Sequence, residues 1–97
     1  MSAPADAVAL EEYTVKRDVL HRALVAEIRG RDQVGFLADL LGKLAGILLF
    51  PVELTLTTRE GVAADRLVLR ALRDKTPSLE AEQMLHALLE RLTVGTA

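Results

Sequence analysis

The sequence predicts a two-layer α+β sandwich: an antiparallel sheet covered on one face by two helices. Three observations predict it. Residues 23–29 and 47–71 alternate apolar and polar side chains with the period of two of a half-buried strand. Residues 36–44 and 85–92 repeat apolar side chains at three- and four-residue spacing, as one stripe of a helix does. The order strand, helix, strand, strand, helix then leaves both helices one apolar sheet face to cover.

Each element has its own signals. Residues 1–7, Met-Ser-Ala-Pro-Ala-Asp-Ala, are small and polar and read as a loose terminus with no apolar targeting segment, so the cytoplasm is the expected location. Residues 8–22 form an extension. Val8, Glu11, Glu12, Val15 and Val19 could share a helix side, but Tyr13 and Val15 alternate with Thr14 and Lys16, which favours a strand over residues 13–20. Residues 23–97 form the main domain. In its first strand Leu24, Ala26 and Ile28 face one way, and Val25, Glu27 and Arg29 the other. Asp32 is the expected N-cap of a helix striped by Phe36, Leu37, Leu40, Leu41 and Leu44. Asp39 and Lys43 pair at i, i+4 on its far side, and Gly46 is the expected C′ residue.

A long strand over residues 47–58 should put Leu48, Phe50, Val52, Leu54 and Leu56 on the core face. Ile47, Leu49 and Pro51 then face away. The hairpin register follows from parity. Apolar positions are even before the turn and odd after it, so opposed residues must sum to an odd number. Thr58 then lies opposite Ala63 and Leu54 opposite Leu67, across an even-length turn at Glu60-Gly61. Thr76 and Pro77 read as the N-cap and first residue of the last helix. Leu85, Leu88, Leu89 and Leu92 form its stripe, helped by Ala81 and Met84.

Composition excludes several functions. With 97 residues the chain is one domain. Its longest largely apolar run, residues 44–52, is well short of the roughly twenty residues that span a membrane. The net charge of −2 and only three aromatic residues argue against nucleic-acid binding. With no cysteine and two histidines, thiolate catalysis and zinc sites of the cysteine type are excluded, and no metal or other cofactor is expected. No Ser-His-acid or Lys-centred constellation converges, and Gly30 and Gly35 fit no nucleotide-loop spacing, so no enzyme is expected.

Right-handed crossovers arrange these elements as a ferredoxin-like plait. Its last strand is not evident after Leu92, and the strand over residues 13–20 can take that place beside residues 23–29.

Within this order two motifs stand out. Gly30-Arg31-Asp32-Gln33-Val34-Gly35-Phe36-Leu37 resembles the opening of an ACT domain, a strand followed by D-x-P-G-x-L. Thr58-Arg59-Glu60-Gly61-Val62-Ala63-Ala64-Asp65 resembles the family's T-R-D-G-x-A-x-D hairpin. The resemblance covers residues 23–92. It implies a free-standing regulatory module that binds an amino-acid-like small molecule and acts through ligand-modulated oligomerisation. A metabolic enzyme or a regulator is the further partner implied. The implied ligand site lies between Asp32, Gln33, Val34, Gly35 and Phe36 and the strand start of a second subunit at Leu49 and Phe50. Val34 stands where the family has Pro. Phe50-Pro51 stand where it has Asn-Ile, which implies an apolar ligand surface. The alternatives are a ligand-free association domain and a small ferredoxin-like enzyme or accessory protein of a biosynthetic pathway.

Other residues have simpler readings. Asp32 serves as a helix cap or holds a ligand amino group, and Gly35 admits a ligand to the backbone or permits close packing. Gln33 is a ligand contact or a solvated loop residue. Ile47, Leu49 and Pro51, with Val25 and Val68, form the expected contact of a homodimer or larger even oligomer. Arg66 and Arg70 fit a solvated sheet face with Glu27 and Glu53 as partners. His21 reads as a turn residue. His86, between Glu82 and Glu90, reads as part of a polar helix face.

Overall fold

The computed structural model describes residues 8–31 and 35–93. The elements are β1 (Leu10–Asp18), β2 (Ala23–Arg31), α1 (Phe36–Gly46), β3 (Leu49–Arg59), β4 (Val62–Ala71), a 3₁₀ turn (Leu72–Asp74) and α2 (Leu79–Leu92). All strands pair antiparallel in one sheet of order β1-β2-β4-β3. This is an α+β domain compatible with a ferredoxin-like layout.

The N-terminal strand completes the sheet, as expected, with different bounds. Pairing begins at Leu10 and ends at Asp18, where Val19 and Leu20 turn outward. Asp18 makes that turn. Its carboxylate accepts the His21 backbone N–H at 3.0 Å, and the His21 ring Nδ1 lies 2.7 Å from it. These bonds, the backbone one first, lower the Asp18 pKa.

One face of the sheet carries the core. Leu24, Ala26 and Ile28 of β2 and Ala63, Leu67 and Leu69 of β4 share it with Phe36, Leu40 and Leu44 of α1 and Leu85, Leu88, Leu89 and Leu92 of α2. Each buried leucine contributes roughly 1.5–3 kcal/mol of transfer free energy. On the opposite face Ala23, Val25 and Val68 form a small buried cluster of their own.

The hairpin register is the one parity requires: Thr58 opposes Ala63 and Leu54 opposes Leu67. Glu60 and Gly61 both take positive φ, 54° and 78°, which a two-residue turn of this kind demands.

β3 departs from expectation before Glu53. The register shifts between Pro51 and Glu53, so Val52 is an extra residue in a bulge. One inserted residue reverses the alternation. Leu49 therefore lies in the core, fully buried, and Ile47 packs against it; with Pro51 opposite Leu69, these three do not form the outward apolar set. Phe50 instead lies opposite Arg70. Pro51, which lacks an N–H, is tolerated because β3 is an edge strand.

Helix ends also differ. Gly35, in the left-handed conformation at φ 83°, is the N-cap of α1 with no side-chain cap, so Asp32, which lies outside the described residues, is not the N-cap residue. Gly46 is the last helical residue and Ile47 the C-cap. In α2 the cap is Ser78, whose hydroxyl accepts the Ala81 N–H at 3.0 Å, two residues later than Thr76-Pro77 predicts. Pro77 is instead buried beneath it, and Met84 is exposed rather than part of the stripe.

Polar contacts bind α2 to β1. Arg17 donates to Glu82 at 2.7 Å and to the carbonyls of Pro77 and Ser78. The Tyr13 hydroxyl donates to Glu90 at 2.9 Å, and its ring meets His86 edge-on at 6.2 Å. Burial first, and then the Glu90 carboxylate, raises the Tyr13 pKa. A raised folded pKa favours the protonated phenol. Its stabilisation is present below the ordinary value of 10.0 and is lost as pH rises through the folded value. The chain has one tyrosine, so ultraviolet absorbance reads this group alone. Its titration should lie above that of free tyrosine, and Glu90→Gln should bring it down part of the way. An unshifted midpoint in the wild type would contradict this contact.

Candidate functional site

Where α1 begins, its first turn faces the outer half of the β3–β4 hairpin. Gly35 to Ala38 on one side, and Leu56, Thr58, Ala63 and Asp65 on the other, enclose a cleft of about 490 Å³. The first intrahelical bond runs from the Asp39 N–H to the Gly35 carbonyl at 2.8 Å. The amides of Phe36, Leu37 and Ala38 precede it and have no intrahelical acceptor. Together they form a positively polarised rim.

Asp65 supplies the opposite charge. It stands on the helix-covered face of β4, between Ile28 of β2 and Leu56 of β3, and is 6% exposed. One carboxylate oxygen accepts the Thr57 backbone N–H at 3.3 Å. Burial of an acidic side chain in an otherwise apolar row carries a desolvation cost that hydrogen bonds must offset. Asp65 is the residue the sequence reading overlooked as a site candidate. Its signal was an acidic side chain in phase with Ala63, Leu67 and Leu69.

The expected site residues are divided by the fold. Gly35 and Phe36 line the cleft, although Phe36 is 3% exposed and belongs chiefly to the core. Asp32, Gln33 and Val34 lie outside the described residues. Leu49 is in the core, and Phe50 lines a different depression with Arg70 and Leu72, at the far end of β3.

Two glycines hold this end of the domain in place. Gly30 lies under Ala9 and Leu10: a Cβ there would meet the Ala9 carbonyl oxygen at 2.6 Å and the Phe36 ring at 3.3 Å. Gly35 needs its left-handed φ to turn the chain into α1.

The remaining candidates lie elsewhere in the fold. Arg66 lies directly opposite Glu27 across the open face. Arg70 does not pair with a glutamate; it donates to the His21 carbonyl at 3.0 Å and to Asp74 at 2.9 Å. Glu53 faces Val68. Near His86, Glu82 is engaged by Arg17 and Glu90 by Tyr13. Among the described residues no group of acidic and histidine side chains could hold a metal ion, and no helix is long and apolar enough to cross a membrane. Compared with protein-family models, curated proteins and solved structures, the chain finds no match.

Denaturant titration checks the backbone requirement at Gly35. Gly35→Ala should cost about 1–2 kcal/mol, the penalty of a left-handed residue with a Cβ, against about 2–5 kcal/mol for the core change Leu40→Ala. Gly30→Ala should also destabilise, because its Cβ meets backbone. A neutral Gly35→Ala would show that α1 does not start on this bend.

Proposed function

We propose that the chain is an ACT-like regulatory module of ferredoxin-like layout, which binds a small amino-acid-like molecule in the cleft at the start of α1. The observation that carries this reading is the pairing of opposite polarities across one cleft. The helix-start amides, which have no intrahelical acceptor, favour a carboxylate, and the Asp65 carboxylate favours an ammonium. A simple anion would be repelled by Asp65, and a simple cation by the helix start. A zwitterion satisfies both. Leu56 and Leu37 offer an apolar wall for its side chain.

Binding rather than catalysis fits this site. Asp65 is the one titratable side chain among the described residues that line it. In this reading ligand binding is coupled to association of copies and, through them, to a metabolic enzyme or regulator in the cytoplasm. A ligand-free association domain is the second reading, favoured by the exposed apolar side chains of β3.

A thermal-shift screen tests the proposal. Free α-amino acids should raise the melting temperature, by an amount equivalent to about 2.7 kcal/mol at a hundred times Kd. Matched acids without the amino group, and amines without the carboxylate, should not. Gly35→Asp should abolish the shift by placing a like charge at the carboxylate position. No shift with any amino acid would leave the ligand-free reading.

A further inference from the structure

The open face of the sheet carries its charges in rows that the register sets. Next to the hairpin turn, Arg31 of β2 and Arg59 of β3 both lie opposite Val62 of β4. In the next open-face row, Arg29 of β2 and Thr57 of β3 both lie opposite Ala64. Three guanidiniums and a hydroxyl thus flank two small residues of the strand between them. All four flanking side chains belong to exposed residues. The small floor leaves a depression of about 410 Å³, lined by Arg29, Thr57, Arg59, Glu60, Val62 and Ala64.

Its charge is unbalanced. Arg29 donates to Glu12 at 2.8 Å. Arg31 and Arg59 have no hydrogen bond or ion pair among the described residues. Glu60, at the turn, is the one acid that lines the depression. Three guanidiniums therefore stand against two carboxylates, Glu12 and Glu60. Like charges held this close repel, and an anion shared between them reverses the sign of the interaction.

Geometry selects the anion. Neighbouring strands lie about 4.8 Å apart, so the backbones of Arg31 and Arg59 stand about 10 Å apart with β4 between them. Each side chain is long enough for its fork of donors to reach a group held above Val62. A carboxylate has two oxygens in one plane and fills one fork. A phosphoryl group directs three oxygens apart, enough for a fork on either side and for the Thr57 hydroxyl. The face also limits the length of the ligand. The following row brings Glu27, opposite Arg66, and the row after it Glu53, opposite Val68. A run of phosphates along the sheet would meet both carboxylates; a single phosphoryl group meets neither. No aromatic ring is among the described residues that line the depression, so no base stacks there.

We propose that Arg29, Arg31 and Arg59, with the Thr57 hydroxyl, form a site on the open sheet face for the phosphoryl group of a small phosphate monoester. The site is separate from the cleft at α1, because β4 turns Ala64 to one face of the sheet and Ala63 and Asp65 to the other. It stands whether or not that cleft binds an amino acid.

The test titrates inorganic phosphate into the full chain, with chloride holding the ionic strength constant, because screening alone moves surface resonances. Saturable chemical-shift changes are expected at the Nε–H groups of Arg31 and Arg59 and at the amides of Thr57 and Ala64. Arg31→Gln and Arg59→Gln should each weaken phosphate binding by about tenfold, the worth of hydrogen bonds to a charged group. Arg91→Gln, on α2 in the helix layer, should leave it unchanged. Phenyl phosphate should bind at least as well as phosphate, and acetate should not displace it. Shifts that grow linearly and match those given by chloride would overturn the proposal, as would undiminished binding in both glutamine variants. Saturable shifts confined to residues 35–38 would move the anion to the helix start and overturn it too. So would a short oligothymidylate whose shifts run along the face past Glu27 to Glu53.

Discussion

The start of α1 at Gly35 is the constraint on which the rest of this domain depends. β2 ends at Arg31, and the chain must turn back over the sheet before Phe36 enters the core. The left-handed residue makes that turn and has no side chain of its own to cap the helix. The same bend therefore seats the Phe36, Leu40 and Leu44 stripe on the sheet and leaves polarised amides facing Asp65. Packing and the proposed binding cleft rest on one backbone conformation. Gly30 adds a second restriction, because the N-terminal segment passes too close for any side chain there.

The two ends of the domain are built differently. At the α1 start, a buried carboxylate and the first turn of the helix face each other across an open cleft. At the β1 side, Arg17 and Tyr13 tie α2 to the sheet, and Leu10 pairs with Thr93 at the end of α2. The N-terminal extension thus does for the sheet what a strand after α2 would do: it covers the β2 edge and holds the second helix down. Among the described residues β3 has no such cover, and its outward leucines follow from that topology.

Much of this was legible in the sequence, for identifiable reasons. Parity alone placed Leu54 opposite Leu67, because one buried face forbids a one-residue slip. The missing fourth strand pointed to residues 13–20, since an uncovered β2 edge is a liability. The bulge at Val52 was not legible. The even-numbered apolar residues from Leu48 to Leu56 read as one unbroken face, and only Pro51 hints that pairing is interrupted. That hidden bulge moved Leu49 into the core and removed the expected outward set. Asp65 was passed over because its neighbours in phase are apolar, and its burial appears only when Ile28 and Leu56 flank it in space. The caps failed locally: several residues near each helix start can cap, and tertiary packing chose Gly35 and Ser78.

The central claim is that the cleft at the start of α1 is where a small zwitterion binds. Amide chemical-shift mapping during titration with a stabilising amino acid tests it most directly. The account predicts the largest perturbations at Gly35, Phe36, Leu37 and Asp65, with little change on the open sheet face. Perturbations confined to Glu27, Arg66 and Arg70, with none at Gly35 or Asp65, would contradict it.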